Sequence, residues 1–238
     1  MGYSTTLVNL KTHRVFDILA GKSKALIHTP LMAIPGRHNV EMVCMDLCAH
    51  YRSLARELFP NAKIVADRFH VIRLVNLAFM KTWMQIAPEL RNSRFSTLRL
   101  LRKRSSLLTA SHLSRLNDLF DRYPAIKTTY DTQCRLLDLL RHKSVTQTTA
   151  KRLIPHFLAF VQHLKNVHFE HLVSLGNTLF NWRNEIACMW RFSKSNGITE
   201  GLHRKMKLIQ RRAYGMSNFY NYRLRVRALC GSIDFTLS

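Results

Sequence analysis

A chain of 238 residues with 37 Lys and Arg against 14 Asp and Glu carries a formal net charge of +23, and 47% of it is hydrophobic. The apolar fraction suffices for a packed core and excludes a globally disordered chain. The charge calls for a polyanionic partner and predicts salt-sensitive attraction to a phosphate backbone, without specifying sequence or chemistry.

Met1-Gly2-Tyr3 opens the chain with no basic or apolar leader, and no apolar run approaches the length of a bilayer span. A cytosolic protein without a membrane partner is the expectation. Cys44, Cys48, Cys134, Cys188 and Cys230 form no Cys-x-x-Cys pair, which predicts reduced thiols. Cys44, Cys48 and His50 lack the second ligand pair of a finger-like zinc site and read as packing residues around a strand end.

Residues 3–10 and 14–19 predict two strands joined by Lys11-Thr12-His13, although this turn lacks the usual Asn-Gly signal. Residues 22–33 predict a helix ended by Pro35-Gly36. Residues 40–45 follow as a short apolar strand, 51–59 as a helix before Pro60-Asn61, and 63–66 as another strand. Strands alternating with helices predict a mixed α/β sheet. Asp46 and Asp67 end its last two strands, where open α/β sheets place their chemistry.

From 69 to 191 the strand signal vanishes. Val71, Leu74, Val75 and Ala78 make one helical face, Leu136, Leu139 and Leu140 another, and Phe157, Val161 and Leu164 a third, so a basic helical insert is predicted. The densest positive run, Arg99 with Arg102, Lys103 and Arg104, reads equally well as a DNA-tracking stretch or a solvated helix face.

Ser195-Asn196-Gly197 then predicts a turn into a last amphipathic helix. Leu202, Met206, Ile209 and Ala213 gather on one face, with Glu200, Arg204, Lys207 and Arg211 opposite. Near a helix N-terminus Glu200 suits the macrodipole and pairs with Arg204 at i+4, worth a few tenths of a kcal/mol. Taken alone, that structural role accounts for it.

Four blocks carry more than periodicity does. They are Val43-Cys-Met-Asp46, Phe59-Pro-Asn-Ala-Lys-Ile-Val-Ala-Asp-Arg-Phe-His-Val71, Ser195-Asn-Gly-Ile-Thr-Glu-Gly201 and Lys207-Leu-Ile-Gln-Arg-Arg-Ala-Tyr-Gly215. In order and separation they resemble the signature blocks of ISL-type DDE transposases of bacterial insertion sequences. The resemblance implies a ribonuclease H-like α/β fold interrupted by a large all-helical insert. Residues 1–68 would be the strand portion, 69–191 the insert, and 192–238 the acidic and basic helix that completes the fold.

The resemblance also implies DNA transposition, in which water and then a DNA 3′-hydroxyl attack phosphodiesters at two divalent ions, Mg²⁺ or Mn²⁺. Asp46 and Glu200 match the family's second catalytic aspartate and its catalytic glutamate, and so become the expected metal ligands. Asp67 and His70 are candidates for support, with fixing Arg68 or a helix start as the other reading of Asp67. Arg204, Lys207, Arg211 and Arg212, with Arg102, Lys103 and Arg104, are the expected DNA contacts. The implied partners are the double-stranded DNA of element ends and target, a second copy of the chain in a homo-oligomer, and the nucleoid of a bacterial cytoplasm.

One departure tempers this. The family's first catalytic aspartate belongs to a strand preceding the hairpin, and no residue of this chain occupies that position. Asp17 lies in the second hairpin strand and reads as a paired surface aspartate. The expectation is therefore the C-terminal portion of a transposase, with a sheet lacking its first strand and weak or no activity alone. The alternative is a catalytically dead, basic DNA-binding remnant.

Overall fold

Segments rich in Thr, Val, Leu and Ile, which favour strands, pair the start of the chain as an antiparallel hairpin, β1 (Ser4–Asn9) with β2 (Arg14–Ala20). The structure, a computed structural model, describes residues 4–91, 97–103, 107–192, 197–213 and 218–231. The hairpin closes without Asn-Gly because Asn9 does the work of a turn residue. Its Oδ1 accepts the N–H groups of Lys11 (2.9 Å) and Thr12 (3.2 Å), and His13 takes a left-handed φ of 59°.

The hairpin register slips once. Leu7 pairs with Asp17 and Val8 with Val15, which leaves Phe16 as the extra residue of a bulge. Val15 and Ile18, three apart, would face opposite sides of a regular strand. The bulge turns both into one core with Met206 and Ile209 of α10 (Gly197–Arg212) and Tyr222, Val226 and Cys230 of α11 (Phe219–Cys230). Phe16 is left exposed. Where α11 ends, Gly231 bridges to Val15. A Cβ there would lie 2.5 Å from the Arg227 carbonyl oxygen and 3.1 Å from that of Val15, so only glycine permits this approach.

A second core joins Leu19 of β2 to Ile27 and Leu31 of α1 (Lys24–Met32) and to Leu54 and Leu58 of α2 (Ala49–Leu58). β3 (Met42–Met45) and β4 (Lys63–Ala66) pair in parallel. The chain is thus mixed α/β, as expected. The described strands nevertheless form two separate two-stranded sheets rather than one, because each strand finds its ladder partner only within its own pair.

These elements belong to one of two compact units, Met1–Asp67 with Lys194–Ser238. The other, Arg68–Ser193, is helical: α3 (Arg68–Ile86), a 3₁₀ turn (Pro88–Arg91), α4 (Thr97–Leu101), α5 (Ala110–Arg122), α6 (Pro124–Arg141), α7 (Gln147–Lys165), α8 (Glu170–Asn181) and α9 (Arg183–Arg191). Its buried residues include Val71, Val75 and Ala78, then Leu136, Leu139 and Leu140, then Phe157, Val161 and Leu164. Leu74 is only half-buried. Two tryptophans are fully enclosed with their N–H groups satisfied: Trp83 donates to Thr129 Oγ1 (3.0 Å) and Trp190 to the Leu139 carbonyl (3.1 Å). Gly176 lets α8 approach α7, since a Cβ there would meet Leu164 Cβ at 3.2 Å. No helix of the described residues is long and apolar enough to cross a membrane.

Candidate metal centre and nucleic-acid interface

The parallel register of β3 and β4 decides what stands at their carboxyl ends. Met45 pairs with Ala66, so the next positions, Asp46 and Asp67, leave the sheet side by side. The Asp67 N–H donates to the Met45 carbonyl (2.7 Å) and extends the ladder by one bond. Short apolar runs therefore convert two aspartates 21 positions apart into neighbours. Asp67 is 1% exposed while Asp46 faces solvent, which gives a recessed carboxylate beside an accessible one.

The chain passes from β4 into α3 without a loop, and the division between the two units falls inside this run, at the bond from Asp67 to Arg68. His70 stands in the first helical turn, three residues past Asp67. One ligand atom each from Asp46, Asp67 and His70 lies within 4.8 Å of the others. Arg68 is buried and donates from Nη2 to the carbonyls of His142 (2.8 Å) and Met189 (2.5 Å), which fixes the first turn of α3 in the helical unit. Two carboxylates and an imidazole form a donor set suited to a divalent cation, the oxygens matching hard ions and the nitrogen admitting borderline ones.

Glu200 lies in the first turn of α10, but its side chain is outside the described residues. Further along the helix, Met206 and Ile209 are buried and Leu202 packs against them. Arg204, Lys207, Arg211 and Arg212 are exposed. Arg204 to Arg211 covers about 10 Å of helix axis. Arg102 is exposed and Lys103 half-buried in the turn after α4; both follow the buried Leu100 and Leu101 rather than sharing a helix face with them. Arg104 lies outside the described residues.

Asp17 is accounted for by its partner. Its carboxylate accepts from Arg223 Nε (2.7 Å) and Nη2 (2.5 Å), a bidentate pair joining β2 to α11. Burial pushes its pKa up, but the Arg223 and Ile18 hydrogen bonds and the charges of Arg223 and Arg227 outweigh that and hold it below the usual carboxylate value. At 16% side-chain exposure it is a recessed structural aspartate rather than a surface one. Cys48 precedes α2, with its Sγ 3.1 Å from His50 Nδ1, and Cys44 is half-buried in β3.

A family model described as a transposase, of the ISL3-type DDE class, matches residues 1–226. The chain belongs to that family. It is also similar to the transposase for insertion sequence element IS1001 of Bordetella parapertussis, at 24% identity over 239 aligned residues. The alignment covers 95% of this chain, and the chain spans 57% of that relative's length. No solved structure matches.

Proposed function

We propose that this chain serves DNA transposition of an insertion sequence, binding duplex DNA through the exposed cations of α10 and acting on phosphodiesters at Asp46, Asp67 and His70. The observation that carries this reading is the in-register meeting of the two aspartates, with His70, at the carboxyl ends of parallel strands. Asp46 and Asp67 would hold a divalent ion, Mg²⁺ or Mn²⁺, with His70 favouring Mn²⁺. Bound there, such an ion supplies charge stabilisation to the attacking and leaving oxygens of a phosphodiester. Glu200, at the head of α10, is the further carboxylate the family resemblance assigns, joining the ligand set to the helix that bears Arg204, Lys207 and Arg211. Those cations hold the duplex by its phosphates, with little sequence preference. The proposed setting is the bacterial nucleoid, on element ends and target.

A second reading, DNA binding with little cleavage, is favoured by the ligand count. Among the described residues three donor atoms meet, enough for one ion, whereas the family's chemistry uses two. Calorimetric Mn²⁺ titration and nicking of a cognate element end test both readings together. Asp46→Asn and Asp67→Asn should each weaken Mn²⁺ binding by more than the roughly 10–100-fold that loss of an outer-shell partner costs. Unchanged affinity in both variants, with the fold intact by circular dichroism, would refute the metal site. Metal-dependent nicking abolished by Glu200→Ala supports the full reaction; metal binding with background nicking supports the second reading.

A further inference from the structure

A cleft of about 490 Å³ opens where the β1–β2 turn meets α10 and the end of α11, lined by His13, Arg14, Leu202, Lys205, Leu229 and Cys230 among others. We propose that this cleft binds a backbone phosphate of duplex DNA, at a site separate from the Arg204, Lys207 and Arg211 row. The inference rests on the DNA-binding part of the proposed function and is independent of the metal site.

Three cationic or imidazole side chains converge there, and among the described residues no carboxylate lines the cleft. Among those residues, neither His13 nor Arg14 has a side-chain hydrogen bond or ion pair within the protein, and both are exposed. Asn9 closes the turn through its own side chain, so His13 and Arg14 are not needed for that purpose.

The feature that would repel an anion, the carbonyl end of α11, is weakened by two bonds: Lys205 Nζ donates to the Leu229 carbonyl (2.5 Å) and the Gly231 N–H to that of Arg227 (2.9 Å). The Lys205 ammonium keeps two further donors for a ligand, and Arg14 offers the forked guanidinium that suits phosphate oxygens. On α10, Lys205 is turned about 100° from Arg204, toward the buried face and away from the basic row.

The test is the salt dependence of duplex binding by the full chain, read by fluorescence anisotropy on unrelated sequences. Arg14→Gln should reduce the slope of log K against log salt by about 0.9 and weaken binding alike on all sequences. Arg14→Lys should restore most of the slope. Lys151→Gln, an equal charge loss at an exposed position of α7, should leave the slope near wild type. Circular dichroism checks that the variants are folded. If Arg14→Gln and Lys151→Gln behave alike while wild type binds, the cleft is not a phosphate site. A wild-type chain that fails to bind duplex DNA at low salt removes the DNA reading, and this site with it.

Discussion

The helical unit and the α/β unit are stabilised in opposite ways. Residues 68–193 run through consecutive helices whose buried faces recur at helical spacing, and α7 packs on α8 across a short connection. The α/β unit is closed by the two ends of the chain: Val15 and Ile18 share a core with Met206, Tyr222 and Val226, and Asp17 pairs with Arg223, 206 positions away. Local contacts cost little loop-closure entropy, whereas the core face of the hairpin is covered by helices that come some 190 positions later. The unit bearing Asp46 and Asp67 is therefore the one whose core draws on distant segments.

The largest break in this comparison should come from the helical core. Trp190 is fully buried, stands edge-on to Phe157 with ring centroids 5.8 Å apart, and donates to the Leu139 carbonyl. Trp190→Ala removes all three contributions and should cost about 3–5 kcal/mol in denaturant unfolding. A loss below about 1 kcal/mol would mean that the helical unit does not depend on this core.

In the α/β unit the corresponding probe is Asp17→Asn, expected to cost about 1.5–3 kcal/mol by uncoupling a charged hydrogen-bonded pair. Because Arg223 is 35% exposed and can regain water, the lower end is expected. The folded-state pKa of Asp17 is depressed, so its contribution is fully present above the unfolded value, near about 4, and is lost as pH falls through the folded one. The stability gap between wild type and Asp17→Asn should therefore narrow on acidification below about pH 4. A gap constant with pH would show that the ion pair is not its source.

What the sequence disclosed follows the same division. The helical faces at Val71, Leu136 and Phe157 were legible because burial there obeys one period. The strand at 63–66 was equally plain, since a short apolar run between Pro60-Asn61 and an aspartate has few other readings. The bulge at Phe16 was not legible. A slip of one residue is set by what the strand packs against, here helices some 190 positions later. That Asp46 and Asp67 end strands could be read from each strand separately, but their meeting required the parallel register, which no spacing encodes. The cleft at His13, Arg14 and Lys205 had no sequence signal, because turn and helix meet only in the folded unit. Asp17 looked like an ordinary paired surface residue until Arg223 enclosed it.

The smallest expected effect is also the most direct comparison, because the two units carry helix caps of the same kind in different settings. Thr109 caps α5 in a reciprocal box with His112, at an exposed helix start. Asn218 caps α11 by accepting from the N–H groups of Tyr220 and Asn221. Each satisfies donors that the first helical turn leaves unpaired, so Thr109→Ala and Asn218→Ala should each cost about 1 kcal/mol. Their reach should differ. α11 buries Tyr222 and Val226 against β2 and holds Arg223 on Asp17, so fraying its start loosens the closure between the two ends of the chain. Amide exchange should then accelerate in β2 for Asn218→Ala, while Thr109→Ala should leave β2 protection unchanged and affect α5. The two substitutions share no partner, so their costs should add within about 0.5 kcal/mol. If Asn218→Ala frays only its own first turn and β2 keeps its protection, the α/β unit is not held closed through α11 in the way the shared core and the Asp17 pair imply.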